Sequence, residues 1–373
     1  MEQMRAERMA RPRIKPEHGW YVTVDGNVRI GATVHGIGAE IDDPDGWIRV
    51  LIGALDGTRS PAEVVDLVLS EHPGVPAAAA LQQLSDAGYL EDAGGPVPAE
   101  LTERERERYS RGAAFFRWID QTARAGTWDV QLRLRRARVL LIGVGGVGGA
   151  VAQGLVASGV GRLHCIDADT VELSNLNRQV LFREVDIGRP KVDAAVARLR
   201  ELNSDVRVSS EQRRVTGPAD LAALLEPGYD LLALCADQPR AIRRWANRAC
   251  HAIGVPWVVG GYHGPVVSGS LHGPGGGACW ECLHDHEADQ ADLRLPPGMT
   301  PESLAPHLPC HPVNAVSAGL TGALLTHFAL AALTGAPALE PGFRYEVNLV
   351  RMEAAMSERI TPRPDCRVCG TAA

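Results

Sequence analysis

Four glycines, Gly143, Gly145, Gly146 and Gly148, follow an apolar run at residues 138–142 and open a helix-like pattern. Glycines at such a strand-to-helix junction let the backbone approach a phosphate, and the helix N-terminus favours its negative charge. Asp167 follows Gly148 by 19 residues, at the end of a second apolar run, where a carboxylate accepts ribose hydroxyls. These features fit NAD and ATP alike. Two CxxC pairs, Cys279/Cys282 and Cys366/Cys369, supply four thiolates, enough for a closed tetrahedral zinc site. A redox pair is the alternative, but neither pair is expected to open a helix after a thioredoxin-like strand. Eight cysteines in a chain of this size are too few for a disulfide scaffold.

The residues after Asp167 separate the two nucleotides. The run Asp167-Ala168-Asp169-Thr170-Val171-Glu172-Leu173-Ser174-Asn175-Leu176-Asn177-Arg178-Gln179 is followed by Gly188-Arg189-Pro190-Lys191 and Cys235-Ala236-Asp237-Gln238. In order and spacing these resemble the nucleotide-binding segments of the ubiquitin-activating-enzyme-like superfamily, whose bacterial members include MoeB, ThiF and HesA. The resemblance runs from about Arg108 to the C-terminus. It implies adenylation of a carboxylate, with in-line attack on the α-phosphate of ATP while pyrophosphate leaves. Such a reaction rests on positioning and on neutralising phosphate charge. By the same resemblance Gly143, Gly145, Gly146 and Gly148 form the loop near the phosphates, Asp167 holds the ribose, and Asn175, Arg178 and Lys191 face the triphosphate. Asp237 would hold Mg2+, an ion suited by hard oxygen ligands and phosphates. Beside it, Gln238 stands where the family usually has a shorter polar residue. The two CxxC pairs match the family's structural zinc positions, so the ion would tie the C-terminal strand to the middle of the domain.

Arg108-Tyr109-Ser110-Arg111 resembles the Arg-Tyr-x-Arg segment ahead of the glycine loop in these enzymes, with Gly112 replacing the usual Gln. The resemblance implies that Arg111 reaches the triphosphate bound by a neighbouring subunit, and hence a homodimer. An arginine solvated within the charged run is the alternative. Cys310 is a candidate thioester or persulfide nucleophile, with a structural cysteine as the alternative. Cys165, Cys235 and Cys250 lie in apolar settings and read as core. His263, His272, His284 and His286 surround the first CxxC and read as loop or substrate-groove residues, because four thiolates are already at hand.

These groups need a scaffold, and composition bounds it. The chain has 373 residues, 45% hydrophobic and 22% charged, which admits two domains, or one large α/β unit with an appendage, and excludes a mostly disordered chain. A net charge of −7 disfavours a surface that grips nucleic acid. Only Lys15 and Lys191 among the 38 basic residues are lysine, a scarcity that fits bias in a GC-rich genome. Lys15 is expected in a mobile tail. The charged N-terminal segment has no apolar stretch, so no secretory signal is expected and the default location is the cytoplasm. Residues 313–333 are apolar but interrupted by Asn314, Ser317, Thr321, Thr326 and His327, which predicts a buried or interface helix rather than a membrane span.

From residue 138, strand and helix patterns alternate, with strands at 138–143, 162–167, 206–213, 229–235 and 256–260. Helices are expected at 147–158, 189–202, 218–225 and 239–253. The alternation predicts the α/β class, a doubly wound, Rossmann-like parallel sheet with helices on both faces. Ahead of it, residues 20–92 read as a winged-helix-like unit with a hairpin around Asp25-Gly26-Asn27 and three helices. Ser60, Pro61 and Glu63 form a capping box for the second. Residues 93–100 are rich in Gly and Pro and mark a linker, followed by a charged, then apolar, helical segment. The expected organisation is 1–92, a linker and docking helix at 93–137, and the adenylation domain at 138–373.

The order of the N-terminal unit, with Leu55-Asp56-Gly57-Thr58-Arg59-Ser60 and Leu84-Ser85-Asp86-Ala87-Gly88-Tyr89-Leu90, resembles PqqD-like peptide-recognition domains. The resemblance implies a leader or substrate peptide bound as an added strand. Such a clamp fused to an adenylating domain resembles the MccB-like peptide-adenylating enzymes. The expectation is an ATP-dependent adenylyltransferase of natural-product biosynthesis that activates a carboxyl group, first the C-terminal one, of a ribosomal peptide. Its catalytic residues would be Arg178, Lys191, Asp237 and Arg111, its cofactors ATP, Mg2+ and Zn2+, with neither nucleic acid nor membrane as partner. Activation of a Gly-Gly-ending ubiquitin-like sulfur carrier is the second expectation. A non-catalytic leader-binding scaffold is the third, and Arg178, Lys191 and Asp237 weigh against it. Together with Asn175, Arg178 and Lys191 also weigh against an NAD oxidoreductase.

Overall fold

The computed structural model describes residues 6–31, 34–290, 294–297, 299, 312–352 and 355–370, and the chain divides into two compact units. The first comprises Met1–Arg135 with Thr334–Ala338, so residues 93–135 belong to it. Its strands are β1 (Pro12–Ile14), β2 (Trp20–Val22), β3 (Val28–Ile30), β4 (Ala39–Ile41) and β5 (Leu90–Asp92). Its helices are α1 (Trp47–Ala54), α2 (Pro61–Glu71), α3 (Ala77–Asp86), α4 (Glu103–Ile119) and α5 (Asp129–Arg136). Gly26 turns the β2–β3 hairpin with φ 88°, and the Thr23 N–H donates to the Asn27 carbonyl at 2.8 Å. The capping box forms: the Glu63 N–H donates to the Ser60 hydroxyl at 3.3 Å and the Ser60 N–H to the Glu63 carboxylate at 2.6 Å.

Three strands, β1, β4 and β5, go beyond the expected hairpin and three helices. β4 joins β3 in a three-stranded antiparallel sheet, and β1 pairs antiparallel with β5. Each spans three residues, too few for an alternating pattern to be read. Val28 and Ile30 of β3 pack against Leu51 and Ile52 of α1, Val64 and Val68 of α2 and Leu81 of α3.

Lys15 also departs from expectation. Instead of lying in a mobile tail it is 1% exposed, and its ammonium donates to the carbonyls of Asp120 and Thr122. Burial pushes its pKa down to about 8, against the attraction of Asp120 and Glu91. The unfolded chain, with a value of 10.5, therefore holds this proton more tightly than the folded one. Unfolding free energy rises as pH climbs from about 8 to 10.5, by ~3 kcal/mol in all. Below that window the folded chain carries the full cost of burying the ammonium. Urea titrations at pH 7.5 and 10 are expected to show that gain in the wild type but not in Lys15→Met; equal gains in both refute the buried charge.

The second unit comprises Arg136–Leu333 with Leu339–Ala373. Its strands are β6 (Arg138–Ile142), β7 (Arg162–Asp167), β8 (Arg207–Gln212), β9 (Leu231–Leu234), β10 (Trp257–His263), β11 (Val266–His272), β12 (Phe343–Asn348) and β13 (Met356–Arg359). They form one sheet in the order β13-β12-β11-β10-β9-β6-β7-β8. The five strands from β10 to β8 are parallel, as expected, and β11 to β13 extend the sheet antiparallel. The helices are α6 (Gly146–Ala157), α7 (Lys191–Leu202), α8 (Pro218–Leu225), α9 (Ile242–Ile253), α10 (Trp280–Gln290) and α11 (Ala315–Thr334).

Leu140, Ile142, Leu232 and Leu234 pack with Leu221 of α8 and Ile242 and Ala246 of α9. Strand periodicity turns Leu141 and Ala233 to the opposite face, where both are buried. The sheet is thus Rossmann-like, with β6 between β7 and β9 at the switch in strand order, the point at which such sheets bind ligands. α11 is long and apolar enough to cross a membrane, yet half of its apolar stretch is buried within the protein. It packs on α6 so closely that a Cβ added at Gly322 would stand 2.4 Å from Ala150.

Candidate active site

A cavity of about 220 Å³ is lined by Gly143, Gly145, Asp167, Lys191, Asp237 and Gln238, together with Arg213 and Arg214. The glycines shape its floor. Gly143 takes φ 92°, and a Cβ there would stand 2.7 Å from the Ala236 nitrogen. Gly148, in the first turn of α6, lies so close to the loop that an added Cβ would stand 1.8 Å from the Gly143 carbonyl. Asp167 pins the loop from the side. One carboxylate oxygen accepts the Val144 N–H at 2.7 Å and the other the Asp169 N–H at 2.9 Å. Each oxygen keeps a lone pair for a ribose hydroxyl. Gly148→Ala must push the loop off this geometry at a cost of ~1–3 kcal/mol. Equilibrium titration of this variant with ATP is expected to show affinity reduced by ~10-fold or more; unchanged affinity removes the loop from the nucleotide site.

Lys191 opens α7 and is 7% exposed, with its ammonium 3.0 Å from Asp169. Asp169 also pairs with Arg214 at 3.2 Å. Burial opposes ionisation of Asp169, but the hydrogen bonds and charges of Lys191 and Arg214 outweigh it and hold its carboxyl below the usual range. Asp237 follows β9 and is exposed, with no hydrogen bond or ion pair among the described residues. Cys235 lines the same cavity, and burial pushes its thiol up to about 12. Asp169, Arg213 and Arg214 were not among the expected site residues. In a chain whose basic residues are nearly all arginine, an arginine pair gives no signal.

Asn175 and Arg178 do not line this cavity. Asn175 is buried and its side-chain oxygen accepts the Glu172 N–H at 3.1 Å, a local cap. Arg178 donates to the Ser174 carbonyl at 2.9 Å and to Asn177 at 3.0 Å, and it hydrogen-bonds Tyr262. Gly146 backs onto this residue, since a Cβ there would stand 3.3 Å from the Arg178 carbonyl. Arg111 is exposed on α4 of the first unit. Cys310 lies outside the described residues.

The sulfur atoms of Cys279, Cys282, Cys366 and Cys369 all lie within 4.8 Å of one another. Cys279 and Cys366 are 3.6 Å apart, Cys282 and Cys369 3.4 Å. A tetrahedron with Zn–S bonds of about 2.3 Å has S···S edges of about 3.8 Å, so the four atoms fit a zinc ion. Donors surround them. The Asn247 amide, the Arg363 N–H and the Val368 N–H each lie 3.4 Å from Cys279, Cys282 and Cys366 respectively. Burial pushes Cys279 up to about 12; at Cys366 burial acts the same way, but the Cys369 and Val368 N–H groups and neighbouring thiols bring it down to about 7. The first pair does open a helix, α10, whose Trp280 N–H donates to Asn247 at 3.0 Å, but a loop at 273–278 separates it from β11, an antiparallel strand. A thiol activated by a helix start would have a lowered pKa, which Cys279 lacks, and the second pair brings two more thiols to the cluster. His272 is buried beside Ser270, and burial pushes it down to about 4, while His284 stacks on Trp280.

The ThiF family model matches residues 109–368. The bovine adenylyltransferase and sulfurtransferase MOCS3 is 34% identical over 281 residues, 74% of this chain and 55% of that protein, so the chain spans about half of MOCS3's length. The sulfur carrier protein adenylyltransferase of Thermus thermophilus is 33% identical over 280 residues, 72% of this chain and 92% of that one. Among solved structures, Escherichia coli MccB with AMPCPP and MccA has a TM-score of 0.67 at 22% identity, covering 96% of this chain and 99% of that chain, a likeness of fold. The glycine-loop cavity with Asp167, Lys191 and Asp237 thus sits inside the matched segment, and the chain belongs to the ThiF family.

Proposed function

We propose that the protein is an ATP-dependent adenylyltransferase that activates a carboxyl group of a peptide held by its N-terminal unit. The observation that carries the first half is the cavity in which the glycine loop, Asp167, Lys191 and Asp237 converge within a ThiF-family sheet. A substrate carboxylate oxygen attacks the α-phosphorus of ATP; the new O–P bond gives the acyl adenylate, and the α–β bridging oxygen leaves with its electrons as pyrophosphate. Asp167 holds the ribose, the loop backbone meets the phosphates, and Lys191 shares its donors between Asp169 and a phosphate oxygen. On the family resemblance Arg178 and Asn175 turn to the triphosphate when nucleotide binds, and Arg111 serves the nucleotide of a second copy in a homodimer. Asp237, an exposed carboxylate beside the loop, suits Mg2+, which would supply charge neutralisation on the departing pyrophosphate. Zinc in the four-cysteine cluster is structural, since no open ligand position remains.

The peptide half rests on the first unit. Residues 6–108 lie ahead of the family match, while the MccB fold likeness extends over 96% of the chain. β2 is an edge strand whose Trp20, Tyr21 and Val22 are 38%, 45% and 43% exposed, an apolar edge suited to strand addition. A second reading, activation of a Gly-Gly-ending sulfur carrier, is favoured by the Thermus relative, which the chain covers over 92% of its length.

ATP–pyrophosphate exchange separates them. Exchange stimulated by short synthetic peptides but not by a Gly-Gly-ending carrier is the expected result. Stimulation by the carrier alone selects the second reading, and no exchange with either, together with tight peptide binding, refutes both in favour of a scaffold.

A further inference from the structure

The second unit holds another cavity, of about 260 Å³, to which adenylation assigns no role. Arg243 of α9 forms one wall, and Trp280 and His284, stacked at 4.8 Å with planes 10° apart, form a flat wall of aromatic rings. Charge inside it is unevenly matched. Arg344 is paired with Glu287 and Glu346. Arg243 makes no hydrogen bond or ion pair among the described residues, and its Nε is buried without an acceptor. Burial works against its charge, and its one electrostatic partner is Asp237 of the nucleotide cavity. A guanidinium cannot shed its proton to relieve that burial, so an unfilled fork of donors is held ready for an oxyanion. Gly261 leaves room beside it: a Cβ there would stand 3.6 Å from the Arg243 terminal nitrogen, a place where any larger side chain would crowd the fork.

The phosphates of a nucleotide have their own loop and lysine in the neighbouring cavity. We infer that this second cavity takes another carboxylate of the substrate, the side chain of an aspartate or glutamate that also bears or adjoins the activated carboxyl, with Arg243 as the residue that selects it. The inference rests on the adenylation reading for the identity of the activated carboxyl. Arg243 pairs with the side-chain carboxylate through two parallel N–H···O bonds, and because Ile242 lines the cavity of the glycine loop while Arg243 lines this one, the socket adjoins the proposed reacting centre.

Isothermal titration of the full-length protein with N-acetyl-L-glutamate, N-acetyl-L-glutamine and N-acetyl-L-alanine tests it, because all three share the α-carboxylate. Binding of the glutamate probe is expected to be ~10-fold tighter than the other two, lost in Arg243→Gln and partly kept in Arg243→Lys. Equal binding of the three probes makes Arg243 a site for the α-carboxylate alone and overturns the proposal. A glutamate preference that survives Arg243→Gln overturns it too. Pyrophosphate exchange keeps the two readings apart: equal exchange with acidic-ended and alanine-ended peptides refutes only the socket. No exchange alongside Arg243-dependent glutamate binding refutes only adenylation.

Discussion

Asp237→Ala is expected to reduce ATP–pyrophosphate exchange by ~10³-fold or more while leaving peptide affinity and thermal stability unchanged. The separation follows from where the side chain stands. It stands three residues beyond β9 and lines the glycine-loop cavity, is exposed, and makes no hydrogen bond or ion pair among the described residues. Its removal breaks no hydrogen bond or ion pair among the described residues and takes only a charge–charge attraction from Arg243, so stability is expected to change by no more than the ~0.5 kcal/mol of an ordinary surface substitution. Attack of a carboxylate on a triphosphate brings anion to anion. With Lys191 shared with Asp169, charge neutralisation on the leaving side depends on what the Asp237 carboxylate can hold. Asp237→Asn keeps the shape and loses the charge, and it is expected to be nearly as inactive as the alanine variant. The measurements are exchange rates at saturating ATP and peptide, peptide affinity by titration, and the melting curve. Exchange within tenfold of the wild type in both variants removes Asp237 from the reaction.

The parts of this protein legible in its sequence are those in which several short-range signals agree. Ser60, Pro61 and Glu63 announce the start of α2, and the structure forms that box with both reciprocal bonds. Apolar runs of the β6 and β9 kind, buried on both faces, mark a covered parallel sheet, and the glycines at its switch point line a cavity. The parts that escaped depend on contacts distant in sequence. β1 is three residues long and is defined by its pairing with β5, whose residues lie near position 90. Lys15 reads as tail until the carbonyls of Asp120 and Thr122 close over its ammonium. Arg243 carries no motif of its own; the absence of an acceptor around it is a property of packing. The CxxC pairs show both cases, since their spacing indicates ligands while the helix that begins at Trp280 is visible only once the chain folds.

Removal of the zinc proposed at the four cysteines, or Cys282→Ser, is expected to cost the second unit more stability than any of the other substitutions considered. Cys279 and Cys366 are 87 residues apart, so an ion held by both pairs closes a long loop. In the chain-entropy description a link across a loop of that length is worth about 4–5 kcal/mol. For a unit of this size, that corresponds to a melting temperature lower by ~10 °C or more. The loss is not spread evenly. Cys282 is fully buried, while Cys366 and Cys369 are only half-buried and follow β13, the outermost strand of the sheet. The C-terminal pair therefore detaches first, and Ile360 and Val368, which pack on the cluster, lose their contacts with it. Four thiols left without the ion are also mismatched in charge, Cys279 being pushed up to about 12 while Cys366 is brought down to about 7. Metal analysis of the purified protein should find about one zinc per chain, and chelation should lower the melting temperature reversibly. Hydrogen exchange should show protection lost first over residues 356–370, with β6, β7 and β9 retained. A chain that contains no zinc as purified, or whose melting curve ignores both the chelator and Cys282→Ser, has a cluster that fits the ion by geometry but does not use it.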